Sequence, residues 1–439
     1  MKINPFIHSR ALSPDEFLGR ERELRHLFSR LATRQSTAFI GQPHVGKTSL
    51  LIYLADEKKR QQHFGDQFDR DLFCYLDAQA LRGVKTQAGF WRRALTPFEA
   101  CLKAGSPEHL QSLKTIYGTA KENQFGTFVL EQLFNEFDSA SARLVLLLDE
   151  FDDFLSHPVL NSAEFYGGLR SLGSRSKGLA IVIAARRDLE RLNKLTQQFN
   201  PHGSPYFNVF TEIKFGTLSI KEFSELVKAA GNRFDQTDHE YIAAVSGRHP
   251  YLAQAAAAML WDAHEDGLEG EERYKVAGRY LYQQAKQHFS DTWNFWTNET
   301  RKAITAVALA QIPKLVGHRR FLVKELIDDL DDYGPELEAL EIIGTITEGE
   351  EGEYVITQSS FLWWLADELL RNVRDEDEFK GWLRAQELDN LLTANEREKL
   401  GNAVRKVLEV TGRGATTLID SFAKGFGEGF AQSTLGKTA

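Results

Sequence analysis

Gly41-Gln42-Pro43-His44-Val45-Gly46-Lys47-Thr48 fits the spacing G-x-x-x-x-G-K-[ST] at every fixed position. Those residue types suit an anion-binding loop. Two glycines let the backbone wrap a phosphate without Cβ clashes, and the loop N–H groups point inward at a helix N-terminus, where the dipole favours negative charge. Lys47 can reach the β- and γ-phosphates of a nucleotide, and the Thr48 hydroxyl is a Mg2+ ligand. Further along, the apolar run Leu144–Leu148 ends in Asp149-Glu150. A carboxylate at the carboxyl end of a central parallel strand faces the ligand crevice. There Asp149 could hold Mg2+ through water, and Glu150 could polarise an attacking water. Taken singly, the loop could be a Gly-rich turn and the carboxylates a strand ending on polar residues. In this order they point to triphosphate chemistry.

These groups need a sheet to hold them. Thr37–Ile40 is a short apolar run leading into the loop, and Ser49–Leu54 reads as the start of a helix. Leu72–Leu76, followed by Asp77, and Leu179–Ala185, followed by Arg186-Arg187, have the continuous apolar pattern of strands buried on both faces. A guanidinium at the end of the last strand could approach a γ-phosphate, which gives Arg186 a role; a solvated loop is the alternative. Ala88–Leu102, interrupted by Pro97, and Phe125–Phe137 read as helices packed around the sheet. No H-E-x-x-H, C-x-x-C or G-x-S-x-G pattern proposes a competing chemistry.

The motif series resembles that of AAA+-related signal-transduction ATPases with numerous domains, the STAND proteins. Phe17-Leu18-Gly19-Arg20-Glu21-Arg22-Glu23-Leu24 is similar to their h-h-G-R-E-x-E-L opening motif. The phosphate loop, Asp149-Glu150 and the Arg186 strand follow in the family's order. Phe215–Phe223 is similar to the L-s-x-x-E start of the lid helices, and Ser246–Leu252 to the G-x-P-type motif, with one extra residue between Gly247 and Pro250. The resemblance implies an α/β P-loop NTPase core with a helical lid, a winged-helix domain and an α-helical C-terminal tail. It implies ATP or ADP held by Leu18, Gly19, Gly41, His44, Val45, Gly46, Lys47, Thr48, Ser49 and Pro250, with Leu18 and Gly19 against the adenine and Pro250 closing its far side. Mg2+ would sit at Thr48 and Asp149, and Glu150, Lys47 and Arg186 would be the catalytic groups.

The expected domains are an ATPase core over 1–215, a lid and connector over 216–295, a winged helix over 296–372 and a helical tail over 373–439. Thr300–Ala310, Phe321–Leu330 and Glu336–Ile343 read as three short helices, followed by a hairpin from Gly344 to Thr357 and a helix over Phe361–Leu370. Charge then separates two uses of such a module. The formal net charge is −9, yet Glu325–Glu353 holds twelve acids and no base, leaving 53 bases against 50 acids elsewhere. Groove readers neutralise phosphates with Lys and Arg. The helix that would enter the groove carries Glu336, Glu338 and Glu341, so DNA binding by this surface is disfavoured. Either a solvated acidic face or docking of a basic partner remains.

In the tail, Arg374–Phe379 reads as a charge-dense break, Trp382–Leu392 and Ala394–Val410 as amphipathic helices with Glu396 and Arg397 towards water. Phe422, Phe426 and Phe430 fall on one face of a Gly-rich helix over Ala415–Phe430. Folding back onto the core is favoured over self-packing or membrane contact. The 42% apolar and 26% charged residues fit a soluble globular protein, and two cysteines exclude a disulfide framework, so a reducing cytoplasm is expected. The leading expectation is an ATP-driven switch coupled to self-association or a protein partner; a DNA-associated AAA+ ATPase of the replication-initiator or transposition-regulator type is the alternative.

Overall fold

β1 (Ser36–Gly41), β2 (Leu72–Asp77), β3 (Leu144–Asp149), β4 (Leu179–Ala185) and β5 (Phe210–Phe215) form one parallel sheet in the order β2-β3-β4-β1-β5. The apolar runs explain the order. β1, β3 and β4 are buried along their whole length and occupy the centre, while β2 and β5 are partly exposed edges. The computed structural model describes residues 3–104, 112–315, 333–349, 353–372, 376–388, 393–399, 401–402 and 414–427. The chain divides into two units: residues 11–42 with 46–215, and residues 1–10, 43–45 and 216–439.

In the first unit, helices α1 (Glu21–Ala32), α2 (Lys47–Ala55), α3 (Glu57–Phe64), α4 (Gln87–Ala94), α5 (Thr96–Lys103), α6 (Leu113–Glu122), α7 (Thr127–Ser139), α8 (Ala163–Arg175) and α9 (Leu189–Thr196) accompany the sheet. The helix expected over Ala88–Leu102 breaks at Leu95, and Pro97 stands in the first turn of α5, where no N–H is needed. Phe90, Phe98, Phe134, Phe137, Phe154 and Phe165 are fully buried in one aromatic cluster.

The second unit is helical. It runs through α10 (Ile220–Val227), α11 (Gln236–Ser246), α12 (Pro250–Glu265), α13 (Gly270–Phe295) and α14 (Asn298–Leu315). Ser219 and Glu222 form a capping box at the start of α10, a physical reason for the Ser-x-x-Glu spacing. Gly247 ends α11 at φ 56, and a Cβ there would lie 2.6 Å from the Thr357 hydroxyl oxygen. After α15 (Gly334–Ile342), β6 (Ile346–Glu348) pairs antiparallel with β7 (Tyr354–Ile356), and α16 (Ser359–Asn372), α17 (Glu376–Ala385) and α18 (Gly414–Gly427) follow. The helix expected over Phe321–Leu330 lies outside the described residues.

Two expectations for the tail require correction. The charge-dense break is helical from Glu376, where α17 begins. Glu396 does not face water. It is 3% exposed, pairs with buried Lys302 at 3.3 Å and accepts from the Thr393 N–H at 2.8 Å. A buried ammonium needs such a counter-charge. α18 packs on α13 and α16. Phe422 and Phe426 meet Tyr241, Phe422 also meets Trp363, and Phe426 meets Tyr274; Arg279 holds Asp420 at 2.7 Å. Phe430 lies outside the described residues.

Close approach is tightest before β4. A Cβ on Gly178 would fall 2.0 Å from the Phe134 carbonyl oxygen and 2.7 Å from the Asp138 nitrogen. Gly178→Ala is therefore expected to destabilise the first unit by about 3 kcal/mol, the upper end of overpacking costs. The midpoint of urea denaturation, followed beside the wild type, measures it.

Candidate functional site

The register of the sheet brings the chemistry-bearing groups to one edge. Ile40 pairs with Ala185, and Asp77 pairs with Asp149, so Gly41, Asp149 and Arg186 all follow strand ends on the same side. Gly46 has φ 95, where any side chain would be strained, and a Cβ there would meet no protein atom within 4 Å. The requirement for glycine at this position is therefore one of backbone conformation, not of room. Lys47 and Thr48 open α2 immediately after it.

Lys47 is 7% exposed, and its ammonium donates to the carbonyls of Gly41 at 2.7 Å and Gln42 at 2.9 Å. Burial lowers its pKa to about 8, against the opposing pull of Glu150, Asp152 and Asp149. Asp149, at the end of β3, is 2% exposed. It is hydrogen-bonded by the Thr48 hydroxyl, by the Tyr75 hydroxyl at 3.0 Å and by the N–H of Glu150 at 3.0 Å. Burial raises its pKa despite those donors. Glu150 sits at φ 47, and its carboxylate meets Arg186 at 3.1 Å.

Thr48 and Asp149, the two expected Mg2+ ligands, are therefore in direct contact, and Glu150 and Arg186 hold one another beside them. An alcohol and a carboxylate, with a second carboxylate close by, are oxygen donors of the kind Mg2+ takes. The Ser49 hydroxyl instead accepts the Leu12 N–H at 3.1 Å, which ties the segment before α1 to the first turn of α2. Val45 is buried and His44 stands at φ 62. Leu18 is an exposed apolar residue, and Gly19 and Arg20 both adopt left-handed backbone. Arg20 is nearly buried over the Phe215 ring, 5.1 Å from its centre. Pro250 opens α12 in the second unit.

Two residues of this site were not found from the sequence. Tyr75 on β2 carries the hydroxyl that bonds Asp149, and only the β2–β3 pairing reveals it. Asp152 accepts the N–H of Arg186 at 2.6 Å and of Arg187 at 3.3 Å, and pairs with the Arg187 guanidinium at 2.8 Å. It fixes the backbone that carries Arg186. The only signal was a second carboxylate pair, Asp152-Asp153, close behind the first.

A parallel sheet with a phosphate loop after β1 and a carboxylate pair after β3 defines a P-loop NTPase core. Residues 30–192 match the family model described as AAA domain. Among solved structures, a Walker-type ATPase of Pyrococcus abyssi is similar at a TM-score of 0.50 and 16% identity, over 82% of this chain and 99% of that one. That likeness concerns the fold. Weaker likenesses are to the ORC2 protein of Aeropyrum pernix in ADPNP–ADP complexes (TM-score 0.45, 12% identity, 82% and 95% covered) and to a STAND protein with a tetratricopeptide repeat sensor from Pyrococcus horikoshii (0.34, 14%, 93% and 55%). No curated protein matches. Among the described residues, no helix is long and apolar enough to cross a membrane.

Lys47 gives a pH test. An unfolded lysine titrates near 10.5, so between about pH 8 and 10.5 the unfolded chain holds a proton that the folded one lacks. This residue's contribution to stability is fully present above that window and lost as pH falls through it. Lys47→Met should abolish a rise of about 3 kcal/mol between pH 7.5 and 10.5. Urea denaturation of both proteins at the two pH values measures the difference, in which tyrosine titration cancels.

Proposed function

We propose that the chain is an ATP-binding molecular switch, hydrolysing slowly, whose nucleotide state sets its domain arrangement and so its self-association or partner binding in signalling or defence. One observation carries the reading: the buried Lys47 ammonium beside the Thr48–Asp149 contact, directly after a loop whose Gly46 holds left-handed backbone. Lys47 would hold the β- and γ-phosphates, and Thr48 and Asp149 would hold Mg2+. Glu150 would orient the attacking water. Arg186 would exchange its carboxylate partner for the γ-phosphate, which makes it a reporter of the third phosphate. Leu18, Gly19 and Pro250 would enclose the adenine, as the motif resemblance implies.

In this reading residues 216–295 form the lid and 296–372 a winged helix with a regulatory use. The exposed Glu338 and Glu341 on α15, a helix without a base, support docking over groove reading. The DNA-associated alternative requires the opposite charge on that surface.

The test compares wild type with Lys47→Ala. Wild type should bind MgADP and a non-hydrolysable MgATP analogue, and its mass by light scattering should differ between the two; Lys47→Ala should bind at least a hundredfold more weakly, about 2.7 kcal/mol, and stay in one state. Equal mass and equal protection of residues 414–427 in every nucleotide state would sink the switch. Salt-sensitive DNA binding by the purified chain would favour the alternative.

A further inference from the structure

Apart from the phosphate site, four of the twelve histidines gather around one tyrosine in the second unit. His44, at the tip of the loop, has its ring 5.0 Å from Tyr251 and 5.5 Å from His288. His249 and Tyr251 flank Pro250 at the start of α12 and lie 5.0 and 5.1 Å from His288. His8 stands 6.4 Å from Tyr251. His249 is 2% and His288 6% exposed, and Nδ1 of His288 is buried without a hydrogen-bond partner among the described residues. The Tyr251 hydroxyl donates to the Gln284 carbonyl at 3.3 Å, one turn before His288 on α13.

Neutral imidazoles can pack edge to face like any aromatic ring. A protonated His288 here would be a buried charge, and among the described residues no carboxylate bears on it. The titratable groups facing His288 are His44 from the loop tip and His249 and Tyr251 from α12, while α16 presents Phe361 and Trp364 to the adjacent Phe289. Burial, with a smaller contribution from His44, holds the His288 imidazole down to about 3. Burial also lowers His8, opposed by Asp262.

We propose that this cluster is a proton-sensitive clasp on the tip of the phosphate loop, closed while the His288 imidazole is neutral and released on its protonation. The sign follows from linkage. Once the clasp opens, His288 reaches water and titrates near the ordinary 6.5. Above that pH neither state binds the proton, and the clasp has its full strength. Below it only the open state does, so the closed-to-open ratio falls about tenfold per pH unit. The consequence for nucleotide rests on the reading of the loop given above; the clasp itself does not.

Hydrogen exchange of the full chain tests it, read at the amides of residues 44–46, 247–249 and 251 and normalised to intrinsic rates at pH 7.5, 6.5 and 5.5. In wild type the opening equilibrium should rise about fivefold between pH 6.5 and 5.5, while residues 275–282 of α13 stay protected. His288→Phe should match wild type at pH 7.5 and show no step. His44→Asn, which tolerates the left-handed backbone, should exchange fast at all three values. A flat wild-type profile, or the same step in His288→Phe, overturns the clasp. MgADP titration at pH 7.5 runs alongside: failure to bind removes the nucleotide reading and leaves the exchange result to stand for the clasp by itself.

Discussion

A lysine ammonium buried at the end of a parallel sheet must have oxygen around it, and that demand organises the first unit. Lys47 obtains it from two loop carbonyls and from the field of three carboxylates, yet burial still outweighs them and lowers its pKa. A cation held below its ordinary affinity for protons favours an incoming anion. The groups that balance it come from separate strands: the loop follows β1, Tyr75 lies on β2, Asp149 ends β3, and Arg186 with its partner Asp152 joins β4 to the turn after β3. None of these pairings exists in an isolated segment. The site is a property of the assembled sheet.

That dependence explains what the sequence disclosed. Leu144–Leu148 and Leu179–Ala185 were legible as strands because burial on both faces leaves an uninterrupted apolar run. Phe210–Phe215 was missed as a strand. It is an edge, its Thr211 and Lys214 face solvent, and half of its residues carry no hydrophobic signal. The loop and the carboxylate pair were found because their spacing is local. Tyr75 and Asp152 act through partners 74 and 34 residues away, and Glu396 pairs with Lys302 across 94. Helical periodicity assigned Glu396 to water because no local pattern encodes a distant ammonium. The histidine cluster is likewise drawn from four separate segments.

Of the nine non-glycine residues with positive φ among the described residues, Arg20, His44, Glu150 and Arg248 stand inside motifs read from the sequence. A non-glycine residue held there costs of order 1 kcal/mol. Arg20 is compensated by its ring contact with Phe215 and Glu150 by its pair with Arg186. In Arg248 the strained turn lets its carbonyl accept the Leu218 N–H at 2.9 Å, which joins the segment before α10 to the loop between α11 and α12.

The same loop is packed against the hairpin. Gly247 leaves no room for a Cβ beside Thr357, and the Thr357 hydroxyl donates to the Gly344 carbonyl at 2.6 Å. A Cβ on Gly344 would in turn fall 2.5 Å from the Thr217 hydroxyl oxygen. Ser360 adds a hydrogen bond to the Val245 carbonyl at 2.6 Å. Backbone-to-backbone approach of this kind yields little to small displacements, because interiors at crystal-like density repack in steps. Residues 216–218, 245–248, 344–345 and 357–360 are therefore packed tightly on one another within the second unit. The β6–β7 hairpin and α15 are thereby tied to the loop that precedes Pro250.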